Sequence, residues 1–217
     1  MNLSSEAVIN DLTQFGKRTR KKGLIWANSG NVSHRMNENS FIITGAGSSL
    51  EDLNSEDFVI LDLDNNILDG EREPSIETKM HSAIYNVKPD TASVFHSQAF
   101  FTTLLSCTDL EVNPNLFPES MAYLDCVFRV AYHHPGSLEL ATEVSDKISQ
   151  CSTLILNNHG AICAGTTLSD VLLKTETLEM LCKMIVFSNV TEIKFNFLPQ
   201  DLKEDFLKHL KRIKDTM

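Results

Sequence analysis

The chain has 217 residues, 42% of them hydrophobic and 22% charged, a balance that suits one sizeable globular core and is short for two. Nineteen basic residues against 29 acidic ones give a formal net charge of −10, which leaves too little basic surface to neutralise the phosphates of a nucleic acid. No apolar run is long enough to span a bilayer, and residues 1–22 hold no uninterrupted hydrophobic stretch of the kind a signal peptide needs.

Residues 4–22 are predicted to form an amphipathic helix, capped by Ser4 or Ser5, with Val8, Ile9, Leu12 and Phe15 on one face and Gly23 as its stop. Trp26, just beyond, reads as a core or interface residue. Asn28-Ser29-Gly30-Asn31 is a tight polar turn before a strand at Val32–Arg35, and residues 37–40 turn the chain into a returning strand at Phe41–Thr44. Gly45-Ala46-Gly47-Ser48-Ser49 is a loop. Phe58–Leu63 and Asn66–Leu68 form a second strand pair around Asp64-Asn65.

After Pro74, Ser75 is the expected N-cap of a helix that reaches about Asn86 and carries Glu77 in its first turn. Ala92–His96 is a strand and Phe100–Ser106 a helix. The proline-bearing stretch 108–137 reads as irregular, with a strand near Val127–Tyr132. Ser137 caps a helix to about Gln150. Thr153–Leu156 and Ala161–Ala164 are strands on either side of Asn157-Asn158-His159-Gly160, and Leu168 to about Phe187 is a long helix. Successive hairpins favour a mainly antiparallel central sheet flanked by helices, in one α/β domain over residues 1–217.

Basic residues cluster at Lys17-Arg18-Thr19-Arg20-Lys21-Lys22 and again at Lys208, Lys211, Arg212 and Lys214. At helical spacing both groups read as solvated helix faces rather than binding patches. Cys107, Cys126, Cys151, Cys163 and Cys182 are odd in number and lack a C-x-x-C spacing, which fits reduced thiols in a cytoplasmic protein.

Three polar groups stand where a strand gives way to a loop or a helix begins: Glu77, His96 with Gln98, and His159. On an extended strand, residues two apart project to one face, so His96 and Gln98 have the spacing of two ligands for one metal, with His159 arriving from a distant strand end. Imidazoles with a carboxylate suit zinc or another borderline divalent cation. On local spacing alone they could equally be unrelated residues, with His96 packed in the core. The small-residue turns at 28–31, 44–48 and 74–75 offer hydroxyls, amides and free backbone N–H groups that could hold a phosphate, or they could simply connect strands.

The joint order of the motifs decides between these readings. G-N-V-S-H-R (30–35), I-T-G-A-G (43–47), P-S-I-E with His81 four residues on, V-F-H-S-Q (94–98), H-P-G-S-L-E-L (134–140) and N-N-H-G-A-I-C-A-G (157–165) together resemble the class II aldolase/adducin family over residues 5–190. That resemblance implies a divalent metal, usually zinc, at His96, Gln98 and His159, with Glu77 as the catalytic glutamate. It implies sugar or sugar-phosphate binding by Asn28, Gly30, Asn31, Thr44, Gly47 and Ser75, and a homotetramer with sites at subunit boundaries. It also implies a lyase that reversibly cleaves a small ketose, a ketose 1-phosphate first, through a metal-stabilised enediolate. Epimerase, dehydratase and decarboxylase chemistry and a non-catalytic adducin-like interaction module belong to the same family.

The sequence departs from the family pattern at three points. Gln98 replaces a histidine, and a neutral amide is a poorer zinc ligand. Ala46 and Ile76 stand where aldolases commonly place phosphate-binding hydroxyls. No tyrosine firmly matches the family's proton donor, although Tyr123, Tyr132 and Glu119 lie in the right region. His133-His134 form either a substrate-facing loop or a solvated turn, and His81, one turn after Glu77, either supports it or packs the helix.

Overall fold

The structure, a computed structural model, describes residues 5–216. Helix α1 (Ser5–Lys21) precedes strands β1 (Asn31–Asn37), β2 (Ser40–Thr44), β3 (Phe58–Asp62) and β4 (Ile67–Asp69). Helix α2 (Thr78–Val87), β5 (Ser93–Ser97), α3 (Phe100–Ser106), α4 (Pro118–Tyr123) and β6 (Val127–Val130) follow. The chain continues with α5 (Leu138–Ile148), β7 (Thr153–Leu156), β8 (Gly160–Gly165), α6 (Leu168–Thr191) and α7 (Gln200–Thr216). The strands form one eight-stranded sheet in the order β4-β3-β2-β1-β5-β8-β7-β6. Every pairing is antiparallel except β6 with β7, as the hairpin-rich sequence predicts.

Strand alternation divides the core between the two faces of the sheet. Phe41, Ile43, Val94, Leu154 and Ile162 pack toward Met80, Ile84 and Tyr85 of α2 and Leu140, Val144 and Ile148 of α5. The intervening residues Ile42, Phe95 and Cys163 pack the other way, against Val8, Leu12 and Phe15 of α1 and Val171 and Leu172 of α6. A third cluster joins Ile155 and Ala161 to Leu105, Leu124, Leu178 and Leu181 beneath α3, α4 and α6. Each fully buried Val, Leu, Ile, Phe or Met among them contributes about 1.5–3 kcal/mol of transfer free energy. The result is three layers, helix on sheet on helix.

Helix α1 buries Val8, Leu12 and Phe15 as expected, with Ile9 half-buried. It ends at Gly23, whose φ of +70° is the left-handed terminus that glycine adopts without cost. Ser4 lies outside the described residues. Lys17, Arg18, Lys21 and Lys22 are exposed, as are Lys208, Lys211 and Arg212 of α7; the side chain of Lys214 lies outside the described residues.

Several expectations need correction. Trp26 is 59% exposed, which removes it from the core and leaves only the interface reading. Residues 118–123 form α4 inside the stretch read as irregular; Pro118 occupies a first-turn position, where its missing N–H costs no hydrogen bond. Strand β6 stops at Val130, because the Ala131 N–H donates to Glu143 instead of a neighbouring strand. Helix α2 begins at Thr78, so Glu77 occupies the N-cap position rather than the first turn. Ser75 Oγ still accepts the Glu77 N–H, at 3.3 Å, two residues ahead of the helix proper. No helix among the described residues is long and apolar enough to cross a membrane.

Candidate metal centre and substrate cavity

Three chain segments are brought together by the register of the sheet. In the β1–β5 pairing Asn31 lies opposite His96, and in the β5–β8 pairing His96 lies opposite Ile162. The turn that joins β7 to β8 therefore delivers His159 beside His96, with ring centroids 4.7 Å apart. The start of α2 carries Glu77 to the same point. Gly160 permits this approach, since a Cβ there would stand 2.5 Å from the Ser97 carbonyl oxygen.

Glu77 and His96 are almost wholly buried, at 3% and 2% exposure. Glu77 Oε2 lies 3.3 Å from His96 Nε2, and Oε1 lies 3.2 Å from His159 Nε2. Neither contact has hydrogen-bond geometry, and Oε1 is a buried oxygen without a hydrogen-bond partner. His96 Nδ1 lies 2.9 Å from the Ala161 carbonyl oxygen. A carbonyl can only accept, so Nδ1 donates and Nε2 is the ring atom that faces Glu77. Burial, then the neighbouring His96, pushes His159 down to about 4, so its ring is neutral near pH 7. Burial opposes ionisation of Glu77, but His96, His159, the Asn31 amide and His81 outweigh it and hold the carboxyl below its usual range.

Candidate ligand atoms of Glu77, His96 and His159 thus face one another in a buried site, and one donor atom from each lies within 4.8 Å of the others. Ligands at zinc bond lengths of about 2.0–2.1 Å sit about 3.3 Å from one another around a tetrahedral ion. The 3.2 and 3.3 Å contacts, each to a different oxygen of Glu77, are close to that edge, and two imidazoles with a carboxylate are a donor set that suits a divalent cation. Gln98 stands beside it, half-buried; its Nε2 donates to the His159 carbonyl at 2.9 Å, which leaves Oε1 as its only candidate ligand atom.

These groups form one wall of a cavity of about 280 Å³. Asn28, Gly30, Asn31, Gly47, Ser75, Glu77, His96, Gln98 and His159 all line it, as does Ile76. Gly47 holds a left-handed turn at φ +71°, and a Cβ there would meet nothing within 4 Å. Thr44 does not line the cavity: it is buried, and its hydroxyl accepts the Val32 N–H at 3.3 Å. Asn31 lines it, yet its amide is already committed to Glu77 and His81.

Ser29 and Ser48, from the small-residue turns that could hold a phosphate, also line the cavity, as does Pro135. Pro135 arrives because Gly136, at φ +77°, lets its loop lie on the Ile76 backbone, where a Cβ would meet the carbonyl oxygen at 2.5 Å. The H-P-G motif was the available signal. His133 pairs with Glu143 at 2.6 Å, so it belongs to the fold of that loop rather than to the cavity. Tyr123, Tyr132 and Glu119 are not among the cavity residues; Tyr123 and Glu119 border a separate groove against α7.

The model of the class II aldolase and adducin N-terminal domain matches residues 10–186. A 3-oxo-tetronate 4-phosphate decarboxylase of Haemophilus influenzae is 32% identical over 177 residues, covering 80% of this chain and 84% of that protein. An L-fuculose phosphate aldolase of Methanocaldococcus jannaschii is 32% identical over 181 residues, covering 82% of this chain and 97% of that protein. A solved L-fuculose 1-phosphate aldolase superposes with a TM-score of 0.89 at 24% identity, over 97% of this chain and 99% of its own, a likeness of fold. With the family model spanning most of the chain and relatives above 30% identity along most of their lengths, the chain belongs to the class II aldolase and adducin family.

Proposed function

We propose that the protein is a metal-dependent lyase that reversibly cleaves a small ketose, a ketose 1-phosphate being the first candidate substrate. The observation that carries this reading is the buried Glu77–His96–His159 cluster on the wall of an open polar cavity. His96 and His159 would hold a divalent cation, Zn²⁺ foremost, with the Gln98 amide oxygen as a weak third ligand. Such an ion supplies Lewis acidity to a carbonyl and its neighbouring hydroxyl. Glu77, ionised and aimed into the cavity, takes or returns the proton at carbon as the C–C bond breaks or forms. Ser75, Gly47, Gly30 and Asn28 line the space where the far end of the substrate would be fixed, and Asn31 contributes through Glu77.

A second reading, decarboxylation of a 3-oxo acid phosphate, draws on the Haemophilus relative and uses the same site. Epimerisation and dehydration would use it too, and an adducin-like interaction module would not need the metal. Incubating zinc-loaded protein with a panel of phosphorylated and free ketoses and with 3-oxo-tetronate 4-phosphates separates the aldolase, decarboxylase and interaction-module readings. Aldehyde release is expected from a ketose. CO₂ without aldehyde would move the assignment to a decarboxylase, and a protein that purifies without metal and turns over none of the panel would be an interaction module.

Residues 1–217 are taken as one domain of this family, working in the cytoplasm; the five free cysteines support that compartment. The protein is expected to be a homotetramer, and exposed apolar side chains such as Phe100, Leu138, Phe187 and Val190 supply surface for subunit contacts. Sedimentation equilibrium should return about four times the 24.3 kDa chain mass. A single species at the chain mass, at micromolar concentration, would count against assembly.

A further inference from the structure

We propose that Tyr85, Ser33, His81 and Asn31 form a one-way chain of hydrogen-bond donation that ends on Glu77 Oε2 and aims the catalytic carboxylate. This rests on the reading of Glu77 as the acid/base group. The contacts are short and continuous: Tyr85 hydroxyl to Ser33 Oγ at 2.7 Å, Ser33 Oγ to His81 Nδ1 at 2.7 Å, His81 Nε2 to Asn31 Oδ1 at 2.6 Å, and Asn31 Nδ2 to Glu77 Oε2 at 2.8 Å. All five side chains are buried.

The direction of every bond follows from the Asn31 amide, whose Nδ2 faces Glu77 Oε2 at 2.8 Å and can only donate. The other end of that amide is then a carbonyl oxygen, so His81 Nε2 must carry a hydrogen. In a neutral ring Nδ1 is then a bare lone pair, so the Ser33 hydroxyl must donate to it, and Ser33 can only accept from Tyr85. Burial pushes His81 down to about 3, which keeps the ring neutral in this deep position. Arg35 fixes the far end, with its guanidinium 4.8 Å from the Tyr85 ring centroid and its Nη2 donating to the Tyr85 carbonyl at 2.7 Å.

The chain does more than join β1 to α2. It consumes one oxygen of Glu77 and leaves the other, Oε1, without a hydrogen bond and turned toward His159. It also withdraws Asn31 from direct substrate contact. His81 is therefore a positioning residue, together with Asn31, Ser33 and Tyr85.

The test has one readout that needs no substrate. In ¹⁵N-histidine-labelled, metal-free protein, with the His81 signals assigned by their loss in His81→Gln, the neutral ring should show a pyrrole-type Nε2 and a pyridine-type Nδ1. Ser33→Ala removes the donor to Nδ1 and should convert that single tautomer to a mixture. On the substrate found by the panel above it should lower kcat roughly tenfold, within the range typical for groups that orient site residues. KM and zinc affinity should each move less than about threefold, and Ser33→Thr, which keeps the hydroxyl, should restore both kcat and the tautomer. A purely structural contact would instead lower the melting temperature and leave kcat of the folded variant unchanged. An Nδ1–H tautomer in the parent protein, or a folded Ser33→Ala with parental kcat, overturns the proposal. Should the parent turn over nothing on the panel, the proposed function fails, and the tautomer alone decides the network.

Discussion

Replacing Glu77 by Gln is expected to lower kcat by about three orders of magnitude while the fold and zinc binding persist. The magnitude follows from general acid–base catalysis, which contributes about 10²–10⁴ in rate; a thousandfold loss corresponds to about 4 kcal/mol of barrier. Gln is nearly isosteric with Glu, so the 3%-exposed side chain keeps its packing, and its amide oxygen can still accept from Asn31 Nδ2. His96 remains oriented by the Ala161 carbonyl and His159 by its place in the β7–β8 turn, so the two imidazole ligands are undisturbed. What disappears is the group that carries the proton. The decisive measurement combines turnover on the true substrate with zinc content and a thermal melt of the same preparation. Near-parental turnover in a folded, zinc-replete variant would remove Glu77 from the acid/base role.

The residues of this site were legible in the sequence because the family motifs mark chain positions, and marking positions requires no knowledge of contacts. Their roles were less legible. Asn31 and Thr44 both sit in glycine-flanked turns that look suited to phosphate, and nothing in those turns shows that Asn31 is bonded to Glu77 and His81 or that Thr44 is bonded to Val32. Those facts depend on strand register, which is set by burial along entire strands rather than by the local motif.

The donor chain could have been anticipated from two periodicities. Asn31, Ser33 and Arg35 are two apart on a strand, and His81 and Tyr85 are four apart on the helix that Glu77 caps, so the polar groups of each element share one face. The helix α4 escaped notice for a different reason. Six residues are fewer than two turns, too few for apolar periodicity to emerge from a proline-rich stretch.

Gln98→His is expected to tighten zinc binding by roughly tenfold to a hundredfold. Gln98 follows directly after β5 and lines the same cavity as His96, two residues earlier, so a side chain at this position can reach the ion that His96 and His159 would hold. In the present chain its amide nitrogen is bound to the His159 carbonyl, and the amide oxygen is at best a weak donor to zinc beside two imidazoles. A third imidazole would complete the three-ligand shell typical of catalytic zinc, and a tenfold gain requires only about 1.4 kcal/mol. The substitution also removes the bond from Gln98 to the His159 backbone, so its sign is informative. Zinc titrated into metal-stripped parent and variant proteins, against a competing chelator, resolves three outcomes. Tighter binding in the variant places position 98 in the ligand shell. Weaker binding assigns Gln98 to holding the His159 turn, with the ion resting on His96 and His159. Equal and negligible affinity in both proteins would end the metal reading and leave the buried Glu77–His96–His159 cluster to an interaction module.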